Sequence, residues 1–170
     1  AAAMTEYITK LVPGVRIVTV EPKSCCCLFE SLQARRRVSV SCHQPTACQG
    51  LDCGTVSTLA WDILKDRVDA WIRVEDSVAF HGQQMLSDAG IASGASGASV
   101  VVGALRALGP RARHLGIGPS SRILTFNTEG VADNEAYASI VNSPRIAVAS
   151  SDVELVVRNS LHVSTAELEE

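Results

Sequence analysis

No apolar stretch in this 170-residue chain reaches the roughly 20 residues that a membrane span needs, and no charged-then-apolar leader opens it. Charge of one sign is also missing. With 15 Lys+Arg against 18 Asp+Glu, the net charge of -3 gives no electrostatic reason to expect a nucleic-acid partner or an anionic membrane. The only basic run, Arg35-Arg36-Arg37, reads as a solvated face. The chain therefore reads as cytoplasmic. Paired C-x2-C knuckles are absent too: Cys42, Cys48 and Cys53 are separated by five and four intervening residues, which with His43 does not match structural zinc. Cys25-Cys26-Cys27 are adjacent, a geometry ill suited to separate bridges, so buried free thiols are expected for the six cysteines.

What is present is enough for one core. At 46% hydrophobic, the chain has the length for a single domain and is too short for two. "AAAMTEYITKL" predicts a helix stopped by Pro13-Gly14, and "VRIVTVEP" a buried strand closed by Pro22. "SCCCLFESLQ" suits a helix capped by Ser24, and "RVSV" a second short strand. "TVSTLAWDILKD" sets Val56, Leu59, Ile63 and Leu64 near one helical face, and "DAWIRV" is strand-like. Asp76 is placed to cap a helix in which Val78, Met85 and Leu86 point inward. A helix stopping at Gly109-Pro110 and a strand over 122–127 follow.

Short apolar strands alternating with helices of about ten residues indicate an α/β fold, a parallel sheet covered by helices on both faces. In such sheets ligands collect beyond the carboxyl ends of the strands. Three stretches then stand out. "RILTFNTEG" turns from an apolar run into hydrogen-bonding groups at Asn127-Thr128-Glu129. "ASGASGAS", residues 92–99, lets backbone approach a ligand at the start of a helix, though a flexible turn with no ligand has the same composition. In "QGLDCGTVSTLAW", Gly50 and Gly54 bracket Asp52-Cys53 ahead of a helix, an arrangement also shared by plain helix-entry loops.

Taken in order, "GLDCGTVSTLAWDILKDRVDAWIRVED", "DAGIASGASGAS" and "RILTFNTEGVADNEAY" resemble the C-terminal part of the diaminopropionate ammonia-lyases, and "GVRIVTVEPKSCCCLFESL" is similar to the strand-helix unit ahead of them. The resemblance runs over residues 1–142 and implies the tryptophan synthase β-like, fold type II, pyridoxal-phosphate architecture. Residues 143–170 match nothing in that family and are expected to be a C-terminal extension or tail with a loosely held acidic end.

The resemblance implies a cofactor, pyridoxal 5'-phosphate, and a small amino-acid substrate, 2,3-diaminopropionate, converted by α,β-elimination to pyruvate and ammonia. It implies Asn127 and Thr128 beside the ring nitrogen, Cys53 and Gly54 bordering the ring, and Gly94, Ser96 and Gly97 lining its far side. A homo-oligomer is also expected, without a nucleic-acid or membrane partner. Two departures matter. The family often reads Gly-Glu-Ser-Gly where this chain has Gly94-Ala95-Ser96-Gly97, so a carboxylate is missing there. The only lysines, Lys10, Lys23 and Lys65, fit solvated positions, and neither the tethering lysine nor the Gly-rich phosphate loop is found, so no catalytic residue is assigned and the chain by itself is expected to be inactive. Two alternatives are a non-catalytic self-associating or partner-binding module and another pyridoxal-phosphate-dependent amino-acid dehydratase of the same fold. A third is a thiol enzyme using Cys53 with His43 or His81 as base.

Overall fold

"AWIRV" sends alternate side chains to opposite sides of an extended chain, and here both sides are buried. In the computed structural model, which describes residues 1–158, this run is the central strand of a three-stranded sheet. In chain order the main elements are α1 (Ala2–Leu11), β1 (Val18–Pro22), α2 (Cys27–Ala34), α3 (Thr58–Leu64), β2 (Ala70–Val74), α4 (Asp76–Asp88), α5 (Val100–Leu108), α6 (Asn134–Val141) and β3 (Val153–Val157).

The strands β1 and β2 run parallel, with Val20 opposite Ile72, and β3 is antiparallel to β2, with Leu155 opposite Ile72. Ala70, Ile72 and Val74 face a cluster with Val78, Val100 and Leu108, from α4 and α5. Trp71 faces the other cluster, with Phe29, Leu32 and Leu64, from α2 and α3. Helices thus cover both faces of the sheet. Each fully buried aliphatic or Phe side chain contributes about 1.5–3 kcal/mol, so these two clusters account for the sheet's cohesion.

The crossing of α4 and α5 depends on having no side chain at two points. A Cβ at Gly82 would collide with the Ser99 carbonyl, and one at Gly103 with the Val78 carbonyl. The helices therefore meet backbone to backbone.

Several local expectations change. Ser24 does not cap α2; Cys26 holds that position without a side-chain bond, and the Glu21 carboxylate instead accepts the N–H groups of Leu28 (3.0 Å) and Phe29 (2.6 Å). Asp76 lies inside α4, behind Glu75, and accepts from Thr46 Oγ1 (2.6 Å) and the Ala47 N–H (2.7 Å), fixing the preceding loop. "RVSV" forms only an isolated bridge, Ser39 to Thr55. Leu59 is 75% exposed, while Met85 and Leu86 are half-buried and Gln83 and Gln84 take the inward positions.

Two changes are larger. Residues 122–127 form no strand, since no strand pairs with them among the described residues; Ile123, Leu124 and Phe126 are exposed. Residues 143–158, expected in an extension or tail, supply β3 to the sheet. The acidic end lies outside the described residues. Cys25 and Cys42 form a disulfide, against the expectation of thiols throughout, because the loop after "RVSV" folds back on the start of α2 to a Cα–Cα distance of 5.0 Å. Cys26, Cys27, Cys48 and Cys53 are free.

Candidate functional site

Apolar residues on α1, β1, α5 and the 121–128 segment enclose an open cavity of about 770 Å³ beside the free edge of β1. Its polar margin is built from three loops. Cys53 and Gly50 come from the loop before α3, Ser96 and Gly97 from the turn that enters α5, and Thr128 from the end of the 121–128 segment. Sequence distance is large but spatial distance is small.

Asn127 ties the second and third loops together. Its Oδ1 accepts from Ser93 Oγ (2.8 Å) and the Ala98 N–H (3.3 Å), and its Nδ2 donates to the Ala92 carbonyl (2.9 Å). Glu129 adds a second tie: its Oε1 accepts the Ser96 N–H (3.2 Å), and its carbonyl accepts the Gly94 N–H (3.0 Å). The first loop joins through Ser96 Oγ, which accepts the Gly50 N–H at 2.9 Å. A Cβ on Gly97 would sit 2.5 Å from Asn127 Oδ1, and one on Gly94 would collide with the Glu129 carboxylate, so this stapling requires glycine at both positions.

Six of the seven predicted residues thus separate into two groups. Cys53, Ser96, Gly97 and Thr128 line one cavity. Asn127 and Gly94 hold the loops from behind, and the amide of Asn127 is already engaged on both its oxygen and its nitrogen. Gly54 packs against the Val40 carbonyl and Cys42 Sγ instead of bordering the cavity, because Val40 donates its N–H to the Gly54 carbonyl at 2.8 Å and draws that residue away. Among the described residues no histidine lines the cavity, and His81 Nδ1 is paired with the Ile146 carbonyl at 2.6 Å, so neither His43 nor His81 accompanies Cys53 there.

Glu129 was legible as a candidate without a role; its bond to the Ser96 amide supplies one, bringing a carboxylate to the loop whose own sequence lacks it. The residue missed from sequence is Glu21. It lines the cavity while holding the start of α2, and burial pushes its carboxyl up to about 7 against the opposing effect of the two backbone N–H bonds. A charged residue set between Val20 and Pro22 in a β-branched run was the available signal.

The lysines lie elsewhere. Lys10 pairs with Glu6 (2.7 Å), Lys23 with Glu75 (3.0 Å) and Lys65 with Asp62 (3.2 Å), and none lines the cavity.

The α/β sheet with helices on both faces and a loop-built pocket beside β1 superposes on enzymes of the fold type II architecture. The pyridoxal-phosphate dependent enzyme family matches residues 1–129, and the chain belongs to that family. It is 32% identical over 143 residues to the diaminopropionate ammonia-lyase of Escherichia coli strain K12, a match spanning 78% of this chain and 36% of that protein. To the diaminopropionate ammonia-lyase of Salmonella typhimurium it is 27% identical over 161 residues, spanning 86% of this chain and 40% of that one. The crystal structure of the Escherichia coli enzyme in complex with D-serine superposes with a TM-score of 0.76 at 27% identity, over 87% of this chain and 40% of the other. The chain spans about two fifths of the length of these relatives. Pyridoxal phosphate is the cofactor of the family to which it belongs. Among the described residues, no helix is long and apolar enough to cross a membrane.

Proposed function

We propose that this chain forms one wall of a pyridoxal-phosphate pocket in an ammonia-lyase that acts on 2,3-diaminopropionate, releasing pyruvate and ammonia. The observation that carries the reading is the convergence of Ser96, Gly97, Cys53 and Thr128 on one cavity. The residues fit a flat heteroaromatic ring: side-chain-free backbone at Gly50 and Gly97, an apolar wall including Val20 and Phe126, and a hydroxyl at Thr128 with no protein partner among the described residues. When bound, pyridoxal phosphate supplies the electron sink for negative charge at the substrate's α-carbon.

In this reading Thr128 offers the ring nitrogen a neutral partner, which would not hold a proton there as a carboxylate does. Ser96 and Gly97 bound the opposite face, and Cys53 the rim. Asn127 and Glu129 act behind them by setting the loop positions. Residues 1–142 are proposed as the C-terminal part of the lyase domain, with β3 added to its sheet from the chain that follows, in a cytoplasmic homo-oligomer.

With its three lysines committed to surface ion pairs, the 170-residue chain is proposed to be inactive alone. The test is to express it with the lysine-bearing N-terminal portion of the Escherichia coli relative and assay pyruvate from 2,3-diaminopropionate. Activity is expected only from the pair, and is reduced by Thr128→Val. Pyruvate release by the chain alone, or a cofactor band fixed by borohydride onto one of its lysines, would overturn the reading.

A second reading rests on the exposed apolar run Ile123, Leu124 and Phe126: a non-catalytic module that self-associates through this face. Sedimentation as a monomer at high concentration would count against it. Chains solved as threonine deaminases share the fold at 17–20% identity, with TM-scores of 0.60–0.68, which leaves a dehydratase of the same architecture as the alternative substrate class.

A further inference from the structure

Two short backbone pairings meet at Asp52. The antiparallel bridge of Ser39 with Thr55, continued by the Val40 N–H to the Gly54 carbonyl (2.8 Å), sets a register that puts Cys42 opposite Asp52. The parallel bridge of Cys26 with Cys53 sets a second register, which puts Cys25 beside Asp52 as well. The Sγ atoms of Cys25 and Cys42 and a carboxylate oxygen of Asp52 accordingly lie within 4.8 Å of one another. We propose that these three side chains, once the Cys25–Cys42 disulfide is reduced, form a binding site for a zinc ion.

The disulfide is not what assembles the cluster. Both bridges are main-chain pairings, and the first is reinforced by Thr55 Oγ1 donating to Ser39 Oγ at 2.9 Å, so they persist when the sulfurs part. Cys25 is fixed further by its N–H, which donates to the Pro22 carbonyl at the end of β1 (3.1 Å). Asp52 is exposed and takes part in none of the ion pairs among the described residues, so its charge has no protein counter-ion. The C-x2-C spacing rule misses this set, because the ligands come from three separate segments and Cys48 is buried against the Ala95 carbonyl (3.5 Å).

The chemistry balances with a dithiol reductant, the class that keeps cytoplasmic cysteines reduced. The dithiol breaks the Cys25–Cys42 bond, supplies two electrons and two protons, and is itself oxidised to a disulfide. The cation then displaces the two thiol protons to solvent and binds two thiolates and the carboxylate. Sulfurs on a tetrahedral zinc stand about 3.8 Å apart. That separation falls inside the span the ligand atoms already occupy, and Cys42 lies on a loop without regular structure, free to adjust. Two sulfur donors select zinc over the oxygen-preferring magnesium and calcium, and three protein ligands leave its fourth position to water. The oxidised chain offers no thiolate at either position, so the site exists in one redox state only.

The probe is Zn2+ alone, titrated under nitrogen into the fully reduced chain against a chromophoric chelator. One zinc per chain is expected for the reduced protein and none for the oxidised one. Co2+ in place of zinc should give a sulfur-to-metal charge-transfer band that Cys42→Ser loses. The reduced parent and Cys42→Ser both lack the disulfide, so equal circular dichroism separates loss of a ligand from loss of fold. Asp52→Asn tests the site without touching a cysteine. It should weaken zinc binding by at least about tenfold, the lower end of what losing even an outer-sphere partner costs. The proposal is overturned if the reduced chain gives no charge-transfer band, if the oxidised chain binds zinc equally, if folded Cys42→Ser keeps the band, or if Asp52→Asn binds as tightly as the parent. Cys25, Cys42 and Asp52 do not line the first cavity, so none of these outcomes bears on the pyridoxal-phosphate reading.

Discussion

Glu129 Oε1 accepts the main-chain N–H of Ser96 at 3.2 Å, joining the end of the 121–129 segment to the turn that opens α5. The pair sets the separation between Thr128 and Ser96, two residues that line the same cavity from different loops. Cavity shape therefore depends on side chains that stand behind its surface.

The first expectation concerns Asn127, which makes three bonds to the 92–98 loop. Asn127→Ala should lower stability by about 1–2 kcal/mol, since its partners are only partly shielded from water. Asn127→Asp, which keeps the accepting oxygen and loses the donation to Ala92, should fall between. Urea denaturation gives the stability, and faster amide exchange at Ala98 should accompany the loss.

Gly97 is expected to tolerate no side chain. In Gly97→Ala the new methyl group would meet Asn127 Oδ1 at 2.5 Å and Ser93 Oγ at 2.8 Å, both fixed by hydrogen bonds to each other. The loops must separate, at about 1–3 kcal/mol. A thermal melt unchanged from the parent protein would contradict this.

Glu21 gives stability a pH dependence of defined sign. Its carboxyl is raised by burial from the ordinary 4.5 to about 7, so between these values the folded chain holds a proton that the unfolded chain has released. This contribution to stability is fully present below pH 4.5 and is lost as pH rises through 7. Glu21→Gln should flatten the slope of unfolding free energy across that window, measured by denaturant titration at pH 5 and pH 8. It should also remove one of the two acceptors at the start of α2, visible as faster amide exchange at Leu28 or Phe29.

Thiol labelling should rank the free cysteines. Burial pushes Cys27 and Cys48 up to about 12, leaving little thiolate at pH 8, whereas Cys53 is exposed at the cavity rim. Iodoacetamide on the folded protein without reductant should modify Cys53 first and leave Cys27 and Cys48 untouched until denaturant is added. Peptide mass mapping gives the order directly. Cys25 and Cys42 should label only after reduction.

Local signals identified elements whose own residue types and stop residues are diagnostic. The helix over Ala2–Leu11 and the halt of α5 at Gly109 follow from propensity and breakers, and β1 and β2 from short β-branched or apolar runs. The site could be read in part for the same reason: small residues at 92–99 and hydrogen-bonding groups at 127–129 are visible as composition before any contact is known. The cap of α2 was misread because the group that satisfies it, Glu21, is not the nearest Ser but a carboxylate on the preceding strand.

By itself the sequence determined the α/β class and the order of α1 to α5 with β1 and β2, because these depend on periodicity, turn chemistry and side-chain size. Only the tertiary structure decided that residues 122–127 lie without a strand partner, that Val153–Val157 joins the sheet, that Cys25 meets Cys42, and that Asn127 holds a loop from behind. The physical reason is common to all four. A strand, a disulfide or a buried hydrogen bond is a property of two segments, and which segments meet is set by how the hydrophobic faces pack.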